Sequence, residues 1–166
     1  MPDSLWTGEE SFLRVVDLHK TYYRGAEVPV LRGVDFDVKQ GELVSIVGSS
    51  GSGKSTLLHL LGTLDQPTSG SIHWQGKRID DESSQFRDRF RNEVVGFVFQ
   101  FYHLLPELSA IENVLLPAMV RYSALEFFRK RGALRKQAAE LLERVGLGHR
   151  MNQDRKSTRL NSSHTV

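Results

Sequence analysis

Leu43-Val44-Ser45-Ile46-Val47 runs directly into Gly48-Ser49-Ser50-Gly51-Ser52-Gly53-Lys54-Ser55, and this stretch decides the fold. The apolar run is short and β-branched, so it predicts a strand buried on both faces. The segment after it matches Gly-x4-Gly-Lys-Ser. Glycines there leave room for successive backbone N–H groups to point inward at phosphate oxygens. From Lys54 onward, Leu57, Leu58, Leu60, Leu61 and Leu64 recur at helical spacing, predicting a buried helix that ends near Gly62. Its first-turn N–H groups and about half a positive charge would add to the anion site. A strand, a glycine loop and a helix in this order imply a phosphate-binding loop. The competing reading, a Gly/Ser turn with a solvated lysine, explains neither flank.

Outward from that centre, Leu13 to Leu18 and Val34 to Val38 read as strands of an antiparallel N-terminal layer. Ser71-Ile72-His73-Trp74 followed by Gln75-Gly76 reads as a hairpin, and Ser84 to Asn92 as a short charged helix. Val94 to Phe99 is a second apolar strand ending at Gln100. Beyond it the pattern turns helical. Ser109/Glu112 and Ser123/Glu126 are Ser-x-x-Glu start signals, and a third helix places Leu134, Ala138, Leu141, Leu142 and Val145 on one face, with Gly146 ending it. The carboxylates Asp80, Asp81 and Glu82 read as solvated loop.

Composition sets outer limits. The chain has 166 residues, 39% apolar and 25% charged, which suits a folded core. With no cysteine, disulfides and thiolate metal sites are excluded. The net charge of +2 lies wholly in residues 154–166, leaving 1–153 formally neutral. That weakens a nucleic-acid reading, for which Arg87, Arg89 and Arg91 are the best support. Residues 1–10 lack a signal-peptide pattern and no apolar run approaches a membrane span, so a cytoplasmic protein is expected.

The chain resembles the ATP-binding subunits of ABC transporters over about residues 11 to 153. That family writes its loop Gly-x-Ser-Gly-Ser-Gly-Lys-Ser-Thr, matched here at Gly48, Ser50, Gly51, Ser52, Gly53, Lys54, Ser55 and Thr56. Leu18-His19-Lys20-Thr21-Tyr22 is similar to the segment whose aromatic ring stacks on adenine, with Tyr23 the alternative. Val94 to Gln100 is similar to the strand whose glutamine contacts Mg²⁺ and the attacking water. Gln100 to Val114, with its Leu104-Leu105-Pro106-Glu107 stretch, narrows the likeness to the branch of lipoprotein-releasing, macrolide-exporting and cell-division ATPases, leaning to the first.

The resemblance implies an α/β fold: an incomplete P-loop NTPase core over 11–100, including the antiparallel β layer, and part of a helical subdomain over 101–153. It implies ATP and Mg²⁺ as cofactors. Lys54 would reach the β- and γ-phosphates, Ser55 and Gln100 would serve Mg²⁺, and the amides from Gly48 to Gly53, Ser49 included, would cradle phosphate. The implied partners are membrane permease subunits and a second ATPase subunit, on the inner face of the cytoplasmic membrane, with no nucleic acid. Phe101 to Leu116 with Phe127 and Phe128 is a candidate permease-docking surface.

The family's Leu-Ser-Gly-Gly-Gln loop, its apolar strand ending Asp-Glu and its switch histidine do not occur in these residues. Asp154 to His164 instead resembles a translated sequencing adapter, so 154–166 is expected to be a non-native tail. The chain is therefore expected to bind nucleotide without hydrolysing it. Two other classes remain: a P-loop ATPase acting on nucleic acid, and a non-catalytic nucleotide-binding protein.

Overall fold

The computed structural model describes residues 11–23, 25–101 and 104–152; the expected tail lies outside them. The chain divides into two compact units, residues 1–95 and 96–166.

In the first unit, β1 (Leu13–Tyr23) pairs antiparallel with β2 (Glu27–Val38) on one side and β3 (Ser69–Trp74) on the other, and β4 (Lys77–Arg78) extends the far edge in the order β2-β1-β3-β4. The expected antiparallel layer is present. Gln75 and Gly76 both take positive φ, 48° and 77°, the conformation a two-residue hairpin turn requires. Both ladders of β1 shift register around Asp17, whose φ is 45°. Residues three apart normally face opposite sides of a strand, and the bulge corrects that parity. Val15 and Leu18 consequently both enter the core.

That core joins Val15, Leu18, Leu31 and Ile72 of the sheet to Leu57 and Leu60 of α1 (Lys54–Leu61), with Ile79 after β4 and Phe90 of α2 (Ser84–Glu93). Trp74 packs edge-on against Phe12 and Phe90, at 6.2 and 5.3 Å between ring centroids. The Ser83 hydroxyl starts α2 by accepting from the Phe86 amide.

Two sequence expectations fail in this unit. Residues 43–47 form no strand, and neither do 94–99 at its boundary. A strand exists through its ladder, and among the described residues neither segment pairs with another. Several of their apolar side chains are open to solvent, Leu43 at 99% and Val98 at 101%, while Ile46 and Val95 pack partly buried against the core. Asp80 is the second correction, because it is buried rather than solvated. Its carboxylate accepts from the Ile72 amide at 2.7 Å and pairs with the Arg78 guanidinium at 2.8 Å. A polar-looking loop hid a carboxylate that ties β3 to the chain leaving β4.

Burial alone would push the Asp80 carboxyl up, but the bonds from Arg78 and the Ile72 amide outweigh it and hold it below the usual carboxylate value of 3.8. The unfolded chain therefore binds this proton more readily than the folded one, so stability rises with pH through this range. The contribution is complete above the unfolded value and drains away as pH falls through the folded one. Asp80→Asn should lower stability at neutral pH and flatten the acid limb of the unfolding curve below about pH 4; urea midpoints measured from pH 3 to 7 check this.

In the second unit, α3 (Ala110–Arg121) and α4 (Ala124–Arg144) pack through Ile111, Leu115, Ala138 and Leu142, and a 3₁₀ turn spans Gly148–Arg150. Both Ser-x-x-Glu signals are capping boxes: Ser109 and Ser123 each accept from the amide of the glutamate three residues on, whose carboxylate accepts in return. The expected second and third helices are one, α4, running through Gly132. A mid-helix glycine costs only about 1 kcal/mol and does not break a helix this long. The stripe is also narrower than expected, since Leu141 and Val145 are exposed.

Candidate functional site

The loop from Gly48 to Gly53 closes on itself around one ammonium group. Lys54 Nζ donates to the carbonyls of Gly48 at 2.9 Å and Ser49 at 2.7 Å, with the Ser52 hydroxyl at 3.5 Å. The Ser52 amide donates to the Ser49 carbonyl at 3.3 Å. The lysine side chain therefore arches back over the loop that precedes it.

Helix α1 begins at Lys54 with Gly53 as its N-cap, at φ 90°, and no side chain caps it. A residue before a helix is more often Ser, Thr, Asp or Asn, whose oxygen would occupy the first-turn amides. Glycine keeps them open, and no acidic residue stands in the first turn to compete with an incoming anion. A Cβ at Gly53 would stand 2.9 Å from Leu31 Cδ2 and 3.2 Å from the Val30 carbonyl, so β2 presses the loop from behind. One at Gly48 would lie 2.7 Å from Ser52 Oγ. A side chain at either position would therefore crowd β2 or the loop itself. The donors on hand, amides, an ammonium and the hydroxyls of Ser55 and Thr56, suit a polyphosphate and its divalent cation.

Tyr22 lies in the same place. An open cleft of about 340 Å³ is lined by Tyr22, Val28, Val30, Lys54, Ser55 and Thr56, together with Gly51 to Gly53. The structure thus brings the aromatic residue of β1 to a loop that follows it only after the whole of β2. Two valines of β2 give the cleft an apolar wall. Tyr23, the alternative, is exposed, and its phenol's pKa is raised first by the hydrogen bond and charge of its neighbour Glu27, with burial the smallest cause. Gln100 stands in the second unit, exposed in a bend; Phe101 and Phe128 of that unit are exposed as well, and Phe127 is half-buried.

Two residues that the sequence reading missed anchor Tyr22. Its phenol donates to Asp65 Oδ2 at 2.9 Å, and Lys20 Nζ donates to Asp65 Oδ1 at 2.7 Å and to the Gln66 carbonyl at 2.6 Å. Burial pushes the Asp65 carboxyl up, but Lys20, Tyr22 and the Gln66 amide together hold it below its ordinary value. The legible signal was Lys20 and Tyr22 on one face of a strand. Their carboxylate partner lies more than forty residues on, and no period points to it.

Arg87 and Arg91 are not a free basic face. They donate to the carbonyls of Glu82 at 2.5 Å and Thr63 at 2.6 Å. Among the described residues, no three His, Cys, Asp or Glu side chains come together as a metal site. No helix there is long and apolar enough to cross a membrane.

An uncapped helix behind a glycine loop, with a lysine folded over it and an aromatic ring lining the same cleft, is the geometry of a P-loop on an α/β scaffold. The chain belongs to the ABC transporter family, whose model matches residues 31–164. It is 54% identical over 139 residues to lipoprotein-releasing system ATP-binding protein LolD 2 of Rhodopirellula baltica, covering 83% of this chain and 54% of that protein. With LolD of Myxococcus xanthus it shares 45% over 143 residues, 86% of this chain and 61% of the relative. The chain thus spans little more than half the length of these curated relatives. Among solved structures, the dimeric post-hydrolysis state of the ATP-binding cassette MJ0796 bound to ADP and Pi superposes at a TM-score of 0.73 with 36% identity, over 86% of this chain and 61% of that one. The cbiO1 component of the Clostridium perfringens cbiONQ transporter gives 0.66 and 28%, over 87% and 54%.

Proposed function

We propose that this chain is the nucleotide-binding portion of an ATPase subunit that powers lipoprotein release through a membrane permease. The observation that carries the reading is the Lys54 ammonium held at 2.7–2.9 Å over the loop carbonyls of Gly48 and Ser49, at the open end of α1 and beside Tyr22. A triphosphate replaces those neutral acceptors with anionic ones, which makes stronger, charge-assisted bonds. Amides from Gly48 to Gly53 would hold the phosphates, Lys54 would bridge the β- and γ-groups, the Ser55 hydroxyl would serve Mg²⁺, Thr56 would support the first turn and Tyr22 would stack on adenine.

Residues 11–100 form the nucleotide-binding core with its β layer, and 101–153 form helical subdomain. The partners are a second ATPase subunit and the permease, at the cytoplasmic face of the membrane. The exposed rings of Phe101 and Phe128 suit a docking surface for the permease. The relatives named for lipoprotein release support that substrate class.

Charge developing in phosphoryl transfer needs a general base and a second loop closing on the γ-phosphate. Neither motif occurs in these 166 residues. Calorimetric titration of the 166-residue chain with Mg–ATP is expected to show saturable binding of one nucleotide per chain, with no phosphate release above background. A flat titration of folded protein would overturn the assignment, and turnover would overturn the division of labour.

A further inference from the structure

We infer that Asp65 is a positioning residue for nucleotide-base recognition: through the Tyr22 phenol and Lys20 it sets the plane of the ring that faces the P-loop cleft. The inference rests on the proposed nucleotide site and adds to it a residue outside the loop and outside the aromatic segment.

The geometry is a bracket built on α1. The N-terminal end of this helix opens at the phosphate loop, and the chain leaving its C-terminal end returns to grip β1. Gly62 closes α1 by donating to the Leu58 carbonyl at 3.0 Å, and the Asp65 amide turns back to the His59 carbonyl. Asp65 then binds Tyr22 and Lys20 on adjacent same-side positions of β1. Two further bonds zip the same segment to the strand: the Thr21 amide donates to Thr68 Oγ1 at 2.9 Å, and the Thr68 amide to the His19 carbonyl at 2.9 Å. Lys20 Nζ also lies 4.8 Å from the centre of the Tyr22 ring.

A tyrosine ring rotates about two torsions, and stacking on a purine uses only one ring plane. Tying the hydroxyl to a carboxylate, itself held by an ammonium and the Gln66 amide, removes that freedom before the ligand arrives. The phosphate loop precedes α1 and the gripping segment follows directly after it, so this one helix links the triphosphate contact to the base contact. Asp65 touches neither group; it acts through Tyr22.

The test is a double-mutant cycle on the 166-residue chain, titrated with Mg–ATP and, separately, with magnesium tripolyphosphate, which has the phosphates and no base. Asp65→Ala is expected to weaken Mg–ATP about fivefold or more while leaving tripolyphosphate within about twofold, and to add nothing in a Tyr22→Ala background. Tyr22→Phe, which keeps the ring and loses the hydroxyl, should reproduce the selective loss. Asp65→Asn keeps an acceptor for the phenol, should recover part of the ATP affinity, and serves if the alanine variant folds poorly. Equal losses for both ligands, or additive losses in the cycle, overturn the positioning role while the nucleotide site stands. A wild-type chain that binds tripolyphosphate as tightly as ATP overturns base recognition itself, and this inference with it.

Discussion

Lys54→Ala is expected to weaken Mg–ATP binding by about ten- to 150-fold, the equivalent of losing a charge-assisted phosphate contact of roughly 1.5 to 3 kcal/mol. The magnitude follows from what the ammonium does in the free chain. It donates to two backbone carbonyls and approaches one hydroxyl, all of its own loop. Neutral acceptors hold a cation less strongly than phosphate oxygens, so the difference between the two states favours binding. Removing the side chain takes away that difference and little else, because the amides of the loop and the first turn of α1 remain. Thermal unfolding without nucleotide should therefore move by no more than about 1 kcal/mol. Calorimetric titration at fixed ionic strength measures the affinity, and an unchanged dissociation constant would remove Lys54 from the site. Raising the salt concentration should narrow the gap between wild type and variant, since part of the contact is screened charge.

Gly70→Ala is expected to destabilise the first unit by about 3 kcal/mol or more. Gly70 lies at the start of β3 at φ 88°, where an L side chain is strained, and a Cβ there would fall on the Asp17 carbonyl and stand 2.7 Å from that of Val16. Both collision partners are main chain of β1, the strand shared by two ladders, so they cannot swing aside as a side chain would. Gly76 makes the comparison that separates the two terms. Its φ is 77°, yet nothing lies within 4 Å of an added Cβ. Gly76→Ala should thus cost only the conformational part, about 1 kcal/mol. Urea unfolding followed through the fluorescence of Trp74, packed between Phe12 and Phe90, reads both variants. Equal losses at Gly70 and Gly76 would mean that the approach of β3 to Asp17 carries no weight.

Much of the site was legible because its logic is local. Gly48 to Ser55 specifies a turn, a set of open amides and a helix start through the identities of adjacent residues alone. The two capping boxes are read the same way, since Ser109 and Ser123 find their glutamates one turn away. Expectations failed where the deciding partner was remote. The run from Leu43 to Val47 has strand propensity but no ladder here, and propensity without hydrogen-bond partners makes no strand. Asp80 looked like surface among Asp81 and Glu82 until Arg78 and the Ile72 amide were seen to close around it.

The amino-acid order by itself determined the phosphate loop, the start of the helix that follows it and the capped starts of α3 and α4, because each depends on residues within a few positions of one another. Tertiary structure alone decided that Tyr22 faces the loop, that Asp65, itself bonded by Lys20, accepts from its hydroxyl, and that a bulge at Asp17 turns both Val15 and Leu18 inward. Those facts depend on which strand lies beside which and in what register, and register is settled by the summed burial of side chains far apart in the chain.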